Sequence, residues 1–261
     1  MAEWIDVEKA RDLPGLRLVI TAGAPGPWGE AAKGVFRVKG IPFARVRQDA
    51  GAPNDVLFAW TGHRNAPIAD YRDEAPRTGW VEILFLAERL APSSPSLIPA
   101  DPAARALMFG LSHELMSEQG FGWCRRLLLL KQGMGDAEEP PEALRPILGR
   151  MLVQYGYSRA AAEAALPRVI SILRLLSERL QASKRAGHEY LMGPSLTALD
   201  IHWAAMAAMV APLPHALCPM NDMMRATYAA MDPLLAEALD PALLAHRDLV
   251  YERHLELPVE L

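Results

Sequence analysis

Apolar and polar positions change rhythm twice along this chain. Leu16-Arg17-Leu18-Val19-Ile20-Thr21 alternates and then becomes apolar, which predicts a buried strand. Gly and Pro punctuate Ala22 to Pro27 at almost every step, so a loop follows. Trp28 to Lys39 is predicted as a helix, with Pro27 near its first turn and Gly40 at its end. Ile41 to Val46 is expected as a second strand. Asn54 to Trp60 is expected as a short helix entered from Pro53 and ended by Gly62. Asn65-Ala66-Pro67-Ile68-Ala69-Asp70-Tyr71 is a short apolar run near a proline. A strand-opening Pro lacks the donor that a central ladder needs, so it marks an edge, a bulge or a turn, and such a Pro can follow a cis peptide bond. Arg72 to Thr78 reads as a poorly marked hairpin with one further strand. Trp80, Ile83, Leu84 and Ala87 then recur at three- and four-residue steps, predicting a third helix through Leu90. Residues 1–15 are polar with one Trp and read as an arm.

The second change comes after Ala91-Pro92-Ser93-Ser94-Pro95, a linker rich in breakers. Beyond Asp101 the periodic segments are helical. One long helix is expected over Pro102 to Lys131, then helices over Glu142 to Tyr155 and Ser158 to Ala182. Thr197 to Val210 is apolar nearly all round, as a helix buried in a bundle would be. Shorter helices are expected near Asp222–Met231 and Pro241–Tyr251. The chain therefore reads as an α/β domain over 1–90, a linker over 91–100 and an all-α domain over 101–261.

Composition narrows the function classes. The 261 residues carry a net charge of −4, with the Arg residues spread along the chain, so nucleic acid is not an expected partner. Two cysteines, Cys124 and Cys218, are too few for a disulfide framework. No signal peptide and no membrane-length apolar run is read, which points to the reducing cytoplasm. His202, His215, His246 and His254 lack metal-ligand spacing, so no metal site is expected.

Three segments resemble the glutathione transferase family in order and spacing: Lys39-Gly40-Ile41-Pro42-Phe43, the Pro67 strand with its following helix, and Tyr190-Leu191-Met192-Gly193-Pro194-Ser195-Leu196-Thr197-Ala198-Leu199-Asp200-Ile201. In the last, Thr197 is a good helix cap and Asp200 can reach back to its amide. The resemblance covers both halves of the chain. It implies a thioredoxin-like first domain, a helical second domain, glutathione as co-substrate, a hydrophobic electrophile as second substrate, and a homodimer paired through the third and fourth helices. Phe85 and Leu86, beyond the inward stripe of the third helix, fit such an interface.

The family's chemistry is only partly matched. Its activating Ser or Cys aligns with Gly29, whose N–H at a helix start favours an anion. Thr21, at the end of the first strand, is the alternative hydroxyl. Glu30 opposes both if its carboxylate faces the sulfur, and plain turn-making explains the glycines equally well. For the tripeptide, the resemblance assigns the Ala66 main chain beside Pro67, Asn65 near the glycyl end, and Trp28 as a further contact. Thr78 and Gly79 replace the family's acid and serine, with Arg77 adjacent, although Thr78 also suits a helix cap. His113, Met116 and Trp123, with Gly120, fall along one side of the predicted long helix and together with Trp28 are expected to line the second-substrate pocket. The same stripe equally suits core packing. Cys124 reads as a packed apolar thiol.

Overall fold

The structure, a computed structural model, describes residues 4–261. The chain divides into two compact units. The first takes the chain up to Ser96 together with Leu213–Met220 and Tyr251–Leu261. The second takes Leu97–Pro212 and Asn221–Val250.

The first unit contains β1 (Trp4–Ile5), α1 (Val7–Ala10), β2 (Leu16–Thr21), α2 (Pro27–Val38), β3 (Ala44–Gln48), α3 (Asp55–Thr61), β4 (Ile68–Tyr71) and α4 (Trp80–Leu90). The strands run in the order β1-β3-β2-β4. β1, β3 and β2 are parallel, and β4 is antiparallel to β2. This mixed sheet with flanking helices confirms the thioredoxin-like reading. Val19 stands opposite Val46 on one side and Ile68 on the other. These three pack with Ala10 and Leu57 on one face of the sheet, and the partly buried Ile5, Val7 and Trp60 complete the cluster. Side chains alternate along a strand, so Leu18 and Ile20 point to the opposite face. Arg17 lies on the Val19 face and would be costly there alone. It pairs with the buried Asp70 of the neighbouring strand and lies 5.8 Å from the centre of the Trp60 ring.

Three expectations for this unit are corrected. From Trp4 onward the arm is structured: Trp4 and Ile5 extend the sheet and α1 buries Ala10, in pieces too short for periodicity to reveal. β3 begins at Ala44 rather than Ile41, because Gly40 turns at φ +68° and Ile41-Pro42-Phe43 runs ahead of the ladder. The further hairpin strand is a single bridge between Ala69 and Arg77, with N···O distances of 2.8 and 2.9 Å. The Ala66–Pro67 bond is cis, as expected, and Leu257–Pro258 is cis as well.

The second unit holds α5 (Pro102–Met116), α6 (Phe121–Met134), α7 (Arg145–Gln154), α8 (Arg159–Arg185), α9 (Ala198–Met206), α10 (Asp222–Ala229), α11 (Pro233–Ala238) and most of α12 (Pro241–His254). Among the described residues no strand follows Asp101. α9 is buried along its whole length, and it packs on α5. The Trp203 indole donates to the Leu243 carbonyl at 2.9 Å and its ring meets Phe121 edge-on. α11 was not anticipated, since six residues between prolines carry little periodicity.

The expected long helix is two helices. Ser117 leaves α5 in an extended conformation and Gln119 takes φ +61°. A Cβ on Gly120 would lie 2.7 to 3.0 Å from the carbonyl oxygens of Glu114, Ser117 and His113, so the chain passes its own backbone where only glycine fits.

Candidate functional site

The first unit's candidate site lies where β2 ends, α2 begins and β4 starts. β2 and β4 pair Val19 with Ile68. Ala66 and Pro67 lead into β4 at the end of the sheet where β2 finishes with Thr21. Gly26 is the cap of α2, with an extended backbone at φ −63° and ψ 113°. A Cβ there would meet Thr21 at an ordinary 3.8 Å. Thr21, Gly26 and Ala66 therefore share one end of the sheet.

At the start of α2, Pro27 has no N–H and the Glu30 N–H donates to the Gly26 carbonyl at 2.9 Å. No side-chain hydrogen bond caps this start at Gly26. Trp28 is half-buried and Gly29 is buried. The structure changes how Gly29 is read. A Cβ on it would stand 3.2 Å from Ile20 Cγ2, so the position faces the strand beneath, and a hydroxyl there would point into the sheet. Its visible role is close approach of α2 to β2. The cap is Gly26, which falls in the loop expected from sequence and which the Gly-Pro pair before the helix could have signalled.

Thr21 carries a hydroxyl, but it donates to the Gln48 amide oxygen at 2.8 Å. Gln48 stands opposite Thr21 in the β2–β3 register, a pairing invisible before the strands are placed. Glu30 turns away from the helix start. Its carboxylate pairs with Lys33 one turn on at 2.8 Å, and burial pushes its pKa up against the pull of Lys33. Lys33 also donates to the Glu260 carbonyl at 2.9 Å, and Arg45 holds Glu256 and Glu260. Glu30, Lys33, Arg45 and Glu256 line a cavity of about 520 Å³ together with Ile41, Pro42 and Phe43.

Asn65 is exposed and Ala66 half-buried, next to the cis bond. Arg77 is tied through its main chain to Ala69 and through its guanidinium to Glu74, whose carboxylate the Arg89 and Arg77 partners hold below its usual range. Thr78 is not the cap of α4. Gly79 holds that position, and its N–H donates to the Glu82 carboxylate at 3.1 Å. The backbone donor expected for a ligand carboxylate thus already has an intramolecular acceptor.

In the second unit, the break after Met116 separates the residues expected on one helix face. His113 is exposed and Met116 buried on α5, whereas the half-buried Trp123 belongs to α6. The stripe is therefore not continuous. Cys124 is buried, donates to the Gln119 carbonyl at 3.5 Å, and has its pKa raised by burial. Of the two apolar residues expected to extend outward from α4 in the first unit, Leu86 is buried at 2% exposure and Phe85 remains 43% exposed. No helix among the described residues is long and apolar enough to cross a membrane, and none of their His, Cys, Asp and Glu side chains form a group of three or more suited to a metal ion.

No protein-family model matches the sequence, and no curated protein does. Solved structures do match. A glutathione S-transferase from Methylobacterium radiotolerans, in complex with glutathione sulfonate, is similar at TM-score 0.61 and 16% identity over 91% of each chain. A beta-etherase from a Sphingobium strain is similar at TM-score 0.61 and 20% identity, covering 92% of this chain and 96% of its own. Rice GST1, in complex with glutathione, is similar at TM-score 0.60 and 17% identity, covering 95% and 93%. With its mixed four-stranded sheet, cis Ala66–Pro67 and helical second unit, the chain has the glutathione S-transferase fold.

Proposed function

We propose that the chain is a glutathione-dependent transferase or lyase that acts slowly on a hydrophobic electrophile. The observation that carries this reading is the start of α2. Its cap, Gly26, makes no side-chain cap hydrogen bond, and the one carboxylate nearby in sequence, Glu30, is turned to Lys33. A helix start with no facing carboxylate favours an anion such as a thiolate. In this reading the tripeptide lies along the Ala66 main chain, with Asn65 toward its glycyl end and Arg77, Thr78 and Gly79 toward its γ-glutamyl end. Its carboxylate there competes with Glu82 for the Gly79 N–H. The thiolate attacks an electrophilic carbon, a C–S bond forms, the leaving group departs with its electron pair, and the thiol proton passes to solvent. With Thr21 engaged by Gln48 and glycine at the cap, neither position supplies a side-chain donor to the developing thiolate, so slow conjugation is expected.

The protein works in the cytoplasm as a homodimer in this proposal, with Phe85 at the interface. Sedimentation giving a monomer at micromolar concentration removes the dimer. His113, Met116 and Trp123 are kept as second-substrate contacts, tested one at a time because they lie on two helices.

Calorimetry with reduced glutathione decides first, followed by thiolate absorbance of the bound tripeptide against pH. The expected result is binding with little thiolate at neutral pH and slow conjugation. A second reading, a carrier of apolar ligands without catalysis, is favoured by the missing hydroxyl at the cap. Binding of apolar ligands with no glutathione heat selects it.

A further inference from the structure

Beyond the glutathione reading, the second unit contains a pocket of about 660 Å³ whose lining belongs wholly to that unit. Trp123 of α6 and Tyr155, just after α7, form its aromatic wall, with ring centres 4.8 Å apart at 66°. Leu127 adds an alkyl surface. Ala161, Ala164 and Ala165, on the first two turns of α8, line the pocket with small side chains. Small residues facing two aromatic rings make a slot, and a planar ring system fills a slot with little loss of its own freedom. The wall is held from behind, since the Arg126 guanidinium lies 5.8 Å from the Tyr155 ring centre and also from that of Tyr228.

The polar groups around the slot select against charge. Arg168 is the one cation in the lining, and it is occupied: it pairs with Glu114 and donates to the Gln119 carbonyl at 3.1 Å. Burial raises the Cys124 pKa, which keeps that thiol neutral. Glu118 adds a negative charge to the rim, while Gln119 and Gln154 bring neutral amides. The one cation of the lining is already balanced by Glu114, and an entering anion also meets the Glu118 carboxylate. We infer that this pocket is a binding site for a neutral, planar aromatic molecule bearing a hydroxyl or carbonyl that an amide can bond.

Trp123 is also a proposed second-substrate contact, so the test uses the full chain without glutathione and reads binding here separately from conjugation, which tells failure of this site from failure of the proposed activity. The probes are 1-naphthol and 1-naphthoate, followed by tryptophan fluorescence and calorimetry. Ala164 is exposed at the slot, so Ala164→Trp fills the space from the surface with little demand on the core. The expected result is saturable 1-naphthol binding, at least tenfold weaker naphthoate binding, and at least tenfold loss of naphthol affinity in Ala164→Trp with an unchanged melting temperature. Ala161→Leu, one turn away, replaces it if the first variant does not fold. Absence of naphthol binding overturns the inference. Equal affinity for the two probes, or unchanged affinity in the filled variants, overturns it as well.

Discussion

Two helix starts in this molecule solve the same problem in opposite ways. Each leaves backbone N–H groups that the helix itself cannot satisfy. At α9 the start is buried, and one carboxylate gathers everything. Asp200 accepts from the Thr197 amide at 2.8 Å, the Thr197 hydroxyl at 2.9 Å and the Leu191 amide at 2.8 Å, with His246 Nε2 at 2.9 Å. At α2 the cap is Gly26, the next residue is a proline without a donor, and the nearby acid is committed to Lys33. The first start is closed and structural. The second has no side-chain hydrogen bond at its cap.

The strongest way to break this comparison is Asp200→Ala. Four groups in the interior lose their shared acceptor, and removing one member of such a buried network typically costs about 3–5 kcal/mol. Urea unfolding should show that loss. A change below about 1 kcal/mol would mean that the closed start contributes little.

Gly29→Ser comes next. Its Cβ would press on Ile20 at 3.2 Å, and overpacking of this kind typically costs about 1–3 kcal/mol. The variant is expected to be less stable with no gain in thiolate formation. Preserved stability with a lowered thiol pKa would instead mean that position 29 faces the ligand.

His202 sharpens the closed side through pH. It sits in the buried helix with Nδ1 3.1 Å from the Ser112 hydroxyl, and burial pushes its pKa down to about 3, with Asp200 pulling weakly the other way. Its folded pKa lies below its ordinary value of about 6.5, so the unfolded chain binds this proton first. The stabilisation is complete above pH 6.5 and is lost as pH falls toward about 3. The slope over that window is up to about 1.4 kcal/mol per pH unit for one proton. His202→Asn should flatten the stability profile between pH 6 and about pH 4. An unchanged slope would assign the acid sensitivity to other groups.

The smallest stability effect belongs to Gly26→Ser. The extended cap conformation accepts serine, and the nearest side-chain atoms to its Cβ are 3.8 Å away. Exchanging glycine and serine at a cap alters stability by only about a few tenths of a kcal/mol. Under the proposed function the new hydroxyl should raise conjugation by roughly tenfold, equivalent to about 1.4 kcal/mol of transition-state stabilisation. Equal rates in both proteins would remove the cap from the mechanism.

The sequence by itself determined what local chemistry dictates. The switch from period two to helical spacing located β2, α2 and α4. The Thr197 and Asp200 pair announced a buried helix start, and Pro67 announced its cis bond. Such signals need only neighbouring residues. Tertiary structure decided whatever depends on direction or on a distant partner. Gly29 looked like the site because it aligns with the family's activating residue, but whether it faces ligand or sheet depends on which side of α2 rests on Ile20. Thr21 looked available until the β2–β3 register set Gln48 opposite it. The break at Gly120 was hidden because apolar spacing continues across it, while the crowding that requires glycine comes from carbonyls brought back by the turn itself. Periodicity records which faces are apolar. The register between strands and the side on which a helix packs follow from many weak contacts acting together, and no single segment encodes them.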